Sequence, residues 1–164
     1  MLARAETPAN DTLVVERVFA APAALVFTLW SSAEHMARWW GPRRFSIAKC
    51  EVDFREGGAW RVNMLGPDGR QYPASGRYRE ISPPTRLVFT FGWDNPDEDD
   101  RQTVVTVSFR EDAGKTHMRF HQTPFASIEH RDGHGAGWSE CFERLEAYLT
   151  ISQTNARLAA PKIR

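Results

Sequence analysis

The sequence is short of cysteine, with only Cys50 and Cys141. They stand far apart and in no C-x-x-C pair, so both read as reduced core thiols of a cytoplasmic protein, with a disulfide as the lesser alternative. It also lacks an excess of either charge. Lysine plus arginine and aspartate plus glutamate number 21 each, which gives no electrostatic reason to expect nucleic acid or an anionic membrane as a partner. No apolar run approaches the roughly 18 residues of a membrane span. The opening MLARAETPANDTLVV lacks the apolar stretch of a secretory signal. Internal repeats and low-complexity blocks are absent. So are G-x-S-x-G, H-E-x-x-H and a phosphate loop, and the His-Arg-Asp at 130–132 comes without the other parts of a kinase site. No catalytic set, cofactor or metal is expected from motifs.

What the chain does have is aromatic residues, 12 % of 164, including six tryptophans. This length fits one domain with a sizeable core. Thr12–Ala20 is rich in β-branched residues and reads as a strand. Pro22 suits the first turn of a helix over 23–30. Ser31 and Ser32 interrupt that helix and cap a short second one over 33–40, which stops at Gly41-Pro42. The period then changes to two. Strands are expected at 44–54, 59–65, 71–81, 86–93, 103–110 and 115–120, with short turns between them that force antiparallel neighbours. The segment 94–101 reads as an acidic loop. A last helix over 137–151 puts Trp138, Cys141, Phe142, Leu145 and Leu149 on one apolar stripe. The simplest packing is α+β, a curved antiparallel sheet wrapped around the C-terminal helix. The domain is expected over 12–152, after a flexible lead at 1–11 and before a fraying tail at 153–164.

These stretches resemble a known family. RVFAAP (17–22), ARWWGP (37–42), EVDFREGGAW (51–60), GPDGRQYPASGRYREISPPTRLVFT (66–90) and GWSECFERLEAYL (137–149) are similar to the activators of heat-shock-protein-90 ATPase and their homologues. That family lies in the START-like (SRPBCC), birch-pollen-allergen-like superfamily. The resemblance implies a helix-grip fold with a deep apolar cavity between the sheet and the long helix, and it implies no fixed catalytic set.

The phases place Trp60, Val62, Met64, Tyr78, Leu87, Phe89, Phe91, Phe120, Trp138 and Phe142 toward one interior. By periodicity that interior is equally a solid core or a pocket, and the resemblance favours a pocket. Trp39 and Trp40 lie about 100° apart on a helical end. One ring is expected to plug the core and the other to face the cavity mouth. The expected partner is an apolar or amphipathic small molecule, with a protein partner as an alternative and the oligomeric state open. An enzyme of the cyclase or dehydratase kind would draw on Tyr78, Glu80 or His121. Asp53 and Glu80 read as ordinary ion-pair carboxylates. His117 and His121 read as solvent-facing or at the cavity rim. His130 and His134 have the four-residue spacing of helical zinc ligands, but Gly133, Gly135 and Gly137 speak for a polar loop and against a metal. His35 reads as a surface residue.

Overall fold

A computed structural model describes residues 9–96 and 100–159, with the side chains of 156–159 left aside. The lead up to residue 8, the centre of the acidic loop at 97–99 and the tail from 160 lie outside the described residues. The chain runs β1 (Leu13–Phe19), α1 (Ala23–Thr28), α2 (Ala33–Trp39), β2 (Ser46–Val52), β3 (Ala59–Leu65), β4 (Gln71–Ser82), β5 (Arg86–Trp93), β6 (Thr103–Asp112), β7 (Lys115–Thr123) and α3 (Ile128–Ala159). The seven strands form one antiparallel sheet in the order β1-β7-β6-β5-β4-β3-β2. Short turns pair each of β2 to β7 with the next, and β1 closes the far side against β7, Val15 opposite Phe120. The curved sheet holds α3 against its concave face, with α1 and α2 between the first two strands: an α+β helix-grip fold. No helix among the described residues is long and apolar enough to cross a membrane.

Side-chain alternation decides which face is wet. Trp60, Val62 and Met64 of β3 are buried, while Arg61 is exposed. On α3 the stripe Trp138, Cys141, Phe142, Leu145 and Leu149 is buried as one face. Ser32 caps α2, its hydroxyl accepting from the His35 N–H at 3.2 Å. Pro22 caps α1, whose first N–H, on Ala23, donates to the Glu111 carboxylate at 2.7 Å.

Three expectations need correction. First, α3 begins at Ile128, not Gly137, and runs through all three glycines. Ser127 caps it through the His130 N–H, and Glu129 occupies its first turn. Each glycine costs a helix about 1 kcal/mol relative to alanine, and tertiary contacts outweigh this. Arg131 donates to the Asn10 carbonyl and Arg17 to that of Ser139. A β-carbon on Gly135 would press against Leu13, so glycine lets the helix lie close to β1. Second, α3 extends to Ala159, beyond the expected end at residue 151. Third, Cys50 is only half-buried, unlike Cys141, and both thiols are free.

Candidate functional site

The ARWWGP turn is the hinge of the site. Trp39 ends α2, and its indole N–H donates to the Leu29 carbonyl at 2.9 Å, fastening α2 to the end of α1. Trp40 has already left the helix: its ψ of 140° is extended. That turns its ring toward the sheet, so both rings are buried, at 0 % and 2 % exposure. The helical angle expected between them does not apply. Trp39 packs on Trp30, whereas Trp40 packs on Trp60, Phe91 and Trp138.

Helix α3 clamps this turn. The Gly41 N–H donates to Cys141 Sγ at 3.2 Å. Arg144 Nη1 donates to the Gly41 carbonyl at 2.8 Å and reaches those of Trp40, Pro42 and Phe45 at 3.3–3.4 Å. Arg43 pairs with Glu143. Gly41 itself has φ +101°, the left-handed region that glycine tolerates. His35 Nδ1 lies 2.7 Å from the Tyr148 hydroxyl, so this histidine joins α2 to α3 and is not a bare surface group.

Beside the clamped turn lies a cleft of about 120 Å³, bordered by Trp40, Pro42, Met64, Phe91, Trp93, Gly133, His134, Gly137, Trp138 and Cys141. Gly133 and Gly137 hold it open. A β-carbon on Gly133 would meet nothing within 4 Å, and one on Gly137 would meet only Pro42 at 3.6 Å. The titratable groups here are both held neutral. Burial pulls His134 down to about 4, and burial pushes the Cys141 thiol up to about 12. His134 Nε2 accepts from the Trp93 indole at 3.3 Å, so its remaining proton sits on Nδ1.

Of the sequence-predicted residues, Trp40, Met64, Phe91 and Trp138 border this cleft. Trp60, Tyr78, Leu87 and Phe89 border a closed seam with Trp30, Met36 and Trp40, which leaves no room for a water molecule. Trp39, Val62, Phe120 and Phe142 are fully buried core. Sequence reasoning missed His134, Trp93 and Pro42. Gly133 and His134 had a signal, their four-residue spacing to Gly137 and Trp138 on one helical face. It was hidden by reading the glycines as a loop.

Sequence reasoning also missed a polar chain through the core. The Trp138 indole donates to Gln122 Oε1 at 2.9 Å, Gln122 Nε2 donates to the Thr103 hydroxyl at 2.8 Å, and that hydroxyl donates to the Phe91 carbonyl at 3.3 Å. Every member is satisfied, so the chain fixes the Trp138 ring at the cleft wall. The Trp30 N–H is different. Among the described residues it is one of two buried side-chain polar atoms without a partner. Such a donor costs about 1–3 kcal/mol.

The residues considered for catalysis are not gathered. Tyr78 is buried in the seam, where burial pushes its hydroxyl pKa up. Glu80 pairs with Arg86 at 3.1 Å, and Asp53 with Arg55 at 2.8 Å. His121 lies on β7, separated from β4 by β6 and β5, and is half-buried on the face away from Phe120. His130 and His134 share a helix after all, yet no group of metal ligands forms among the described residues. A wider groove of about 930 Å³ on the other side of the sheet runs along Arg61, Ser75, Arg77 and Arg79. Its walls mix polar and apolar surface and carry four arginines, unlike the mainly apolar cleft.

The sheet gripping one long helix, with an aromatic cleft at their junction, defines a START-like helix-grip protein. The chain belongs to the family described as activator of Hsp90 ATPase homolog 1-like protein, whose profile matches residues 20–150. No curated protein matches it. Solved structures do. The AHSA1 protein from Silicibacter pomeroyi is 27 % identical, with 86 % of this chain and 99 % of that one covered and a TM-score of 0.75. A Rhizobium leguminosarum protein is 28 % identical over 85 % and 93 % of the two chains, with a TM-score of 0.72. A Chromobacterium violaceum protein, at 23 % identity, covers 86 % of this chain and 98 % of its own, with a TM-score of 0.78, and shares the fold.

Proposed function

We propose that this protein is a binding module for an apolar or amphipathic small molecule, held at the cleft between the Trp40–Pro42 turn, β5 and α3. The observation that carries the reading is the cleft's composition. Three tryptophans and Phe91 wall it, two glycines keep it open, and among the described residues the titratable groups that border it are uncharged at neutral pH. Apolar walls with a few placed polar groups are the usual make-up of a small-molecule site. A neutral imidazole with one N–H supplies a single polar anchor. A thiol held near 12 is not a thiolate, so Cys141 is no nucleophile. This favours binding over covalent chemistry.

The test is native mass spectrometry of freshly purified protein, combined with titration of N-phenyl-1-naphthylamine, a neutral fluorescent probe. A co-purified small molecule that the probe displaces supports the reading. Absence of both a bound molecule and saturable probe binding contradicts it.

A further inference from the structure

Trp40 borders two spaces, the cleft and the closed seam behind it. The seam is walled by Trp30, Met36, Trp60, Tyr78 and Phe89 together with Trp40. Two of these wall residues carry polar groups that are poorly partnered. The indole of Trp30, 1 % exposed, has no acceptor. The Tyr78 hydroxyl reaches only Met36 Sδ, at 4.0 Å, and a thioether is a weak acceptor.

Four of the other five indoles make this unusual. Trp39, Trp60, Trp93 and Trp138 donate to the Leu29 carbonyl, the Thr90 carbonyl, His134 and Gln122. For Trp60 the sheet itself is adapted. The Thr90 carbonyl faces its indole, the Arg77 N–H turns to the Thr90 hydroxyl at 2.9 Å, and Gly76 leaves the space that the ring needs. A fold that serves four indoles this closely leaves the fully buried Trp30 donor unserved in a place too tight for water. Buried donors are rarely orphaned without reason.

We propose that the seam is the inner end of the ligand site, and that with the Trp40 ring turned aside it takes an apolar ligand carrying one hydrogen-bond acceptor, a carbonyl or ether oxygen, on the Trp30 N–H. This rests on the cleft reading and extends it. The cleft alone, at about 120 Å³, falls below the roughly 300–1,000 Å³ of ordinary ligand pockets. The clamped backbone at Trp40–Pro42 confines the motion to the Trp40 side chain. No charged group borders the seam, so a carboxylate or ammonium is excluded from its inner end.

The experiment uses two probes of one shape, 1-indanone and indane, which differ by a carbonyl. Indole N–H signals of the full chain are followed by ¹H–¹⁵N NMR, and affinities are measured for wild type and Trp30→Phe. The expected result is a downfield shift of the Trp30 signal with 1-indanone and not with indane. The affinity ratio of 1-indanone to indane falls about three- to tenfold in Trp30→Phe, as loss of one hydrogen bond requires. If Trp30→Phe does not fold, the wild-type spectra decide. Shifts confined to Trp40 and Trp138 overturn the inner subsite and leave the cleft reading standing. No shift at any indole overturns both.

Discussion

Trp39 and Trp40 are neighbours in the chain and belong to two regions built from the same residue types. Trp39 packs on Trp30, which in turn packs on Phe109 and Phe142 in the core under α1 and α2. Around Trp40, the rings of Phe91 and Trp138 stop short of closure and leave a cleft. Aromatic content does not distinguish the two. The difference lies in what faces the rings. The core side meets Phe142 of α3 through Trp30, whereas the cleft side meets Gly133 and Gly137. The cleft is therefore made by removing β-carbons from a helix, not by adding functional groups to it.

The largest expected effect tests the closed side. Gly76→Ala places a β-carbon against the Thr90 carbonyl and the Trp60 indole, so it should cost about 5 kcal/mol or prevent folding. A urea transition within 1 kcal/mol of wild type, by this order-of-magnitude reckoning, would mean that the sheet relaxes at this point. Next come the paired tryptophans. Trp39→Ala should cost about 3–5 kcal/mol, as for a ring deleted from a solid core. Trp40→Ala should cost about 2 kcal/mol, because water can enter the enlarged cleft, and it should alter N-phenyl-1-naphthylamine binding. Equal losses of stability would erase the contrast between the two regions.

His134 sharpens the comparison through pH. Its folded pKa is lowered to about 4 from 6.5, so the unfolded chain takes up the proton first. The stability tied to the neutral ring is full above about 6.5 and is lost as pH falls toward 4, a change of about 3 kcal/mol at most. Urea denaturation at several pH values should show this slope, and His134→Gln should flatten it. The smallest effect is a gain. Gly133→Ala meets open space inside a helix and should stabilise the protein by about 0.5–1 kcal/mol. A loss of stability there would mean that the glycine serves the fold and not the cleft.

Much of the fold was legible because strand phase and turn chemistry are local. The bounds of β3 and β5 follow directly from alternation between turns, and the α3 stripe from Trp138 to Leu149 follows from helical spacing. The first third of α3 was not legible, since its glycines are helix-unfavourable and what holds them, Leu13, Arg17 and Asn10, lies far away in sequence. The site was half legible for the same reason. Met64, Phe91 and Trp138 share an inward phase and meet Trp40 at the cleft. Tyr78, Leu87 and Phe89 have the same phase, but which inward rings pack shut is decided by the opposing side chains. The difference between Trp39 and Trp40 depends on one backbone angle at the helix end, which no periodicity encodes.

The central claim, that the glycine-held cleft receives the ligand, is tested most directly by filling it without removing any contact. Gly133→Leu adds a side chain where a β-carbon meets nothing within 4 Å, in the wall of the cleft. The account predicts that affinity for N-phenyl-1-naphthylamine falls at least about tenfold while the urea midpoint does not drop. Unchanged probe affinity in a fully folded Gly133→Leu protein would contradict it.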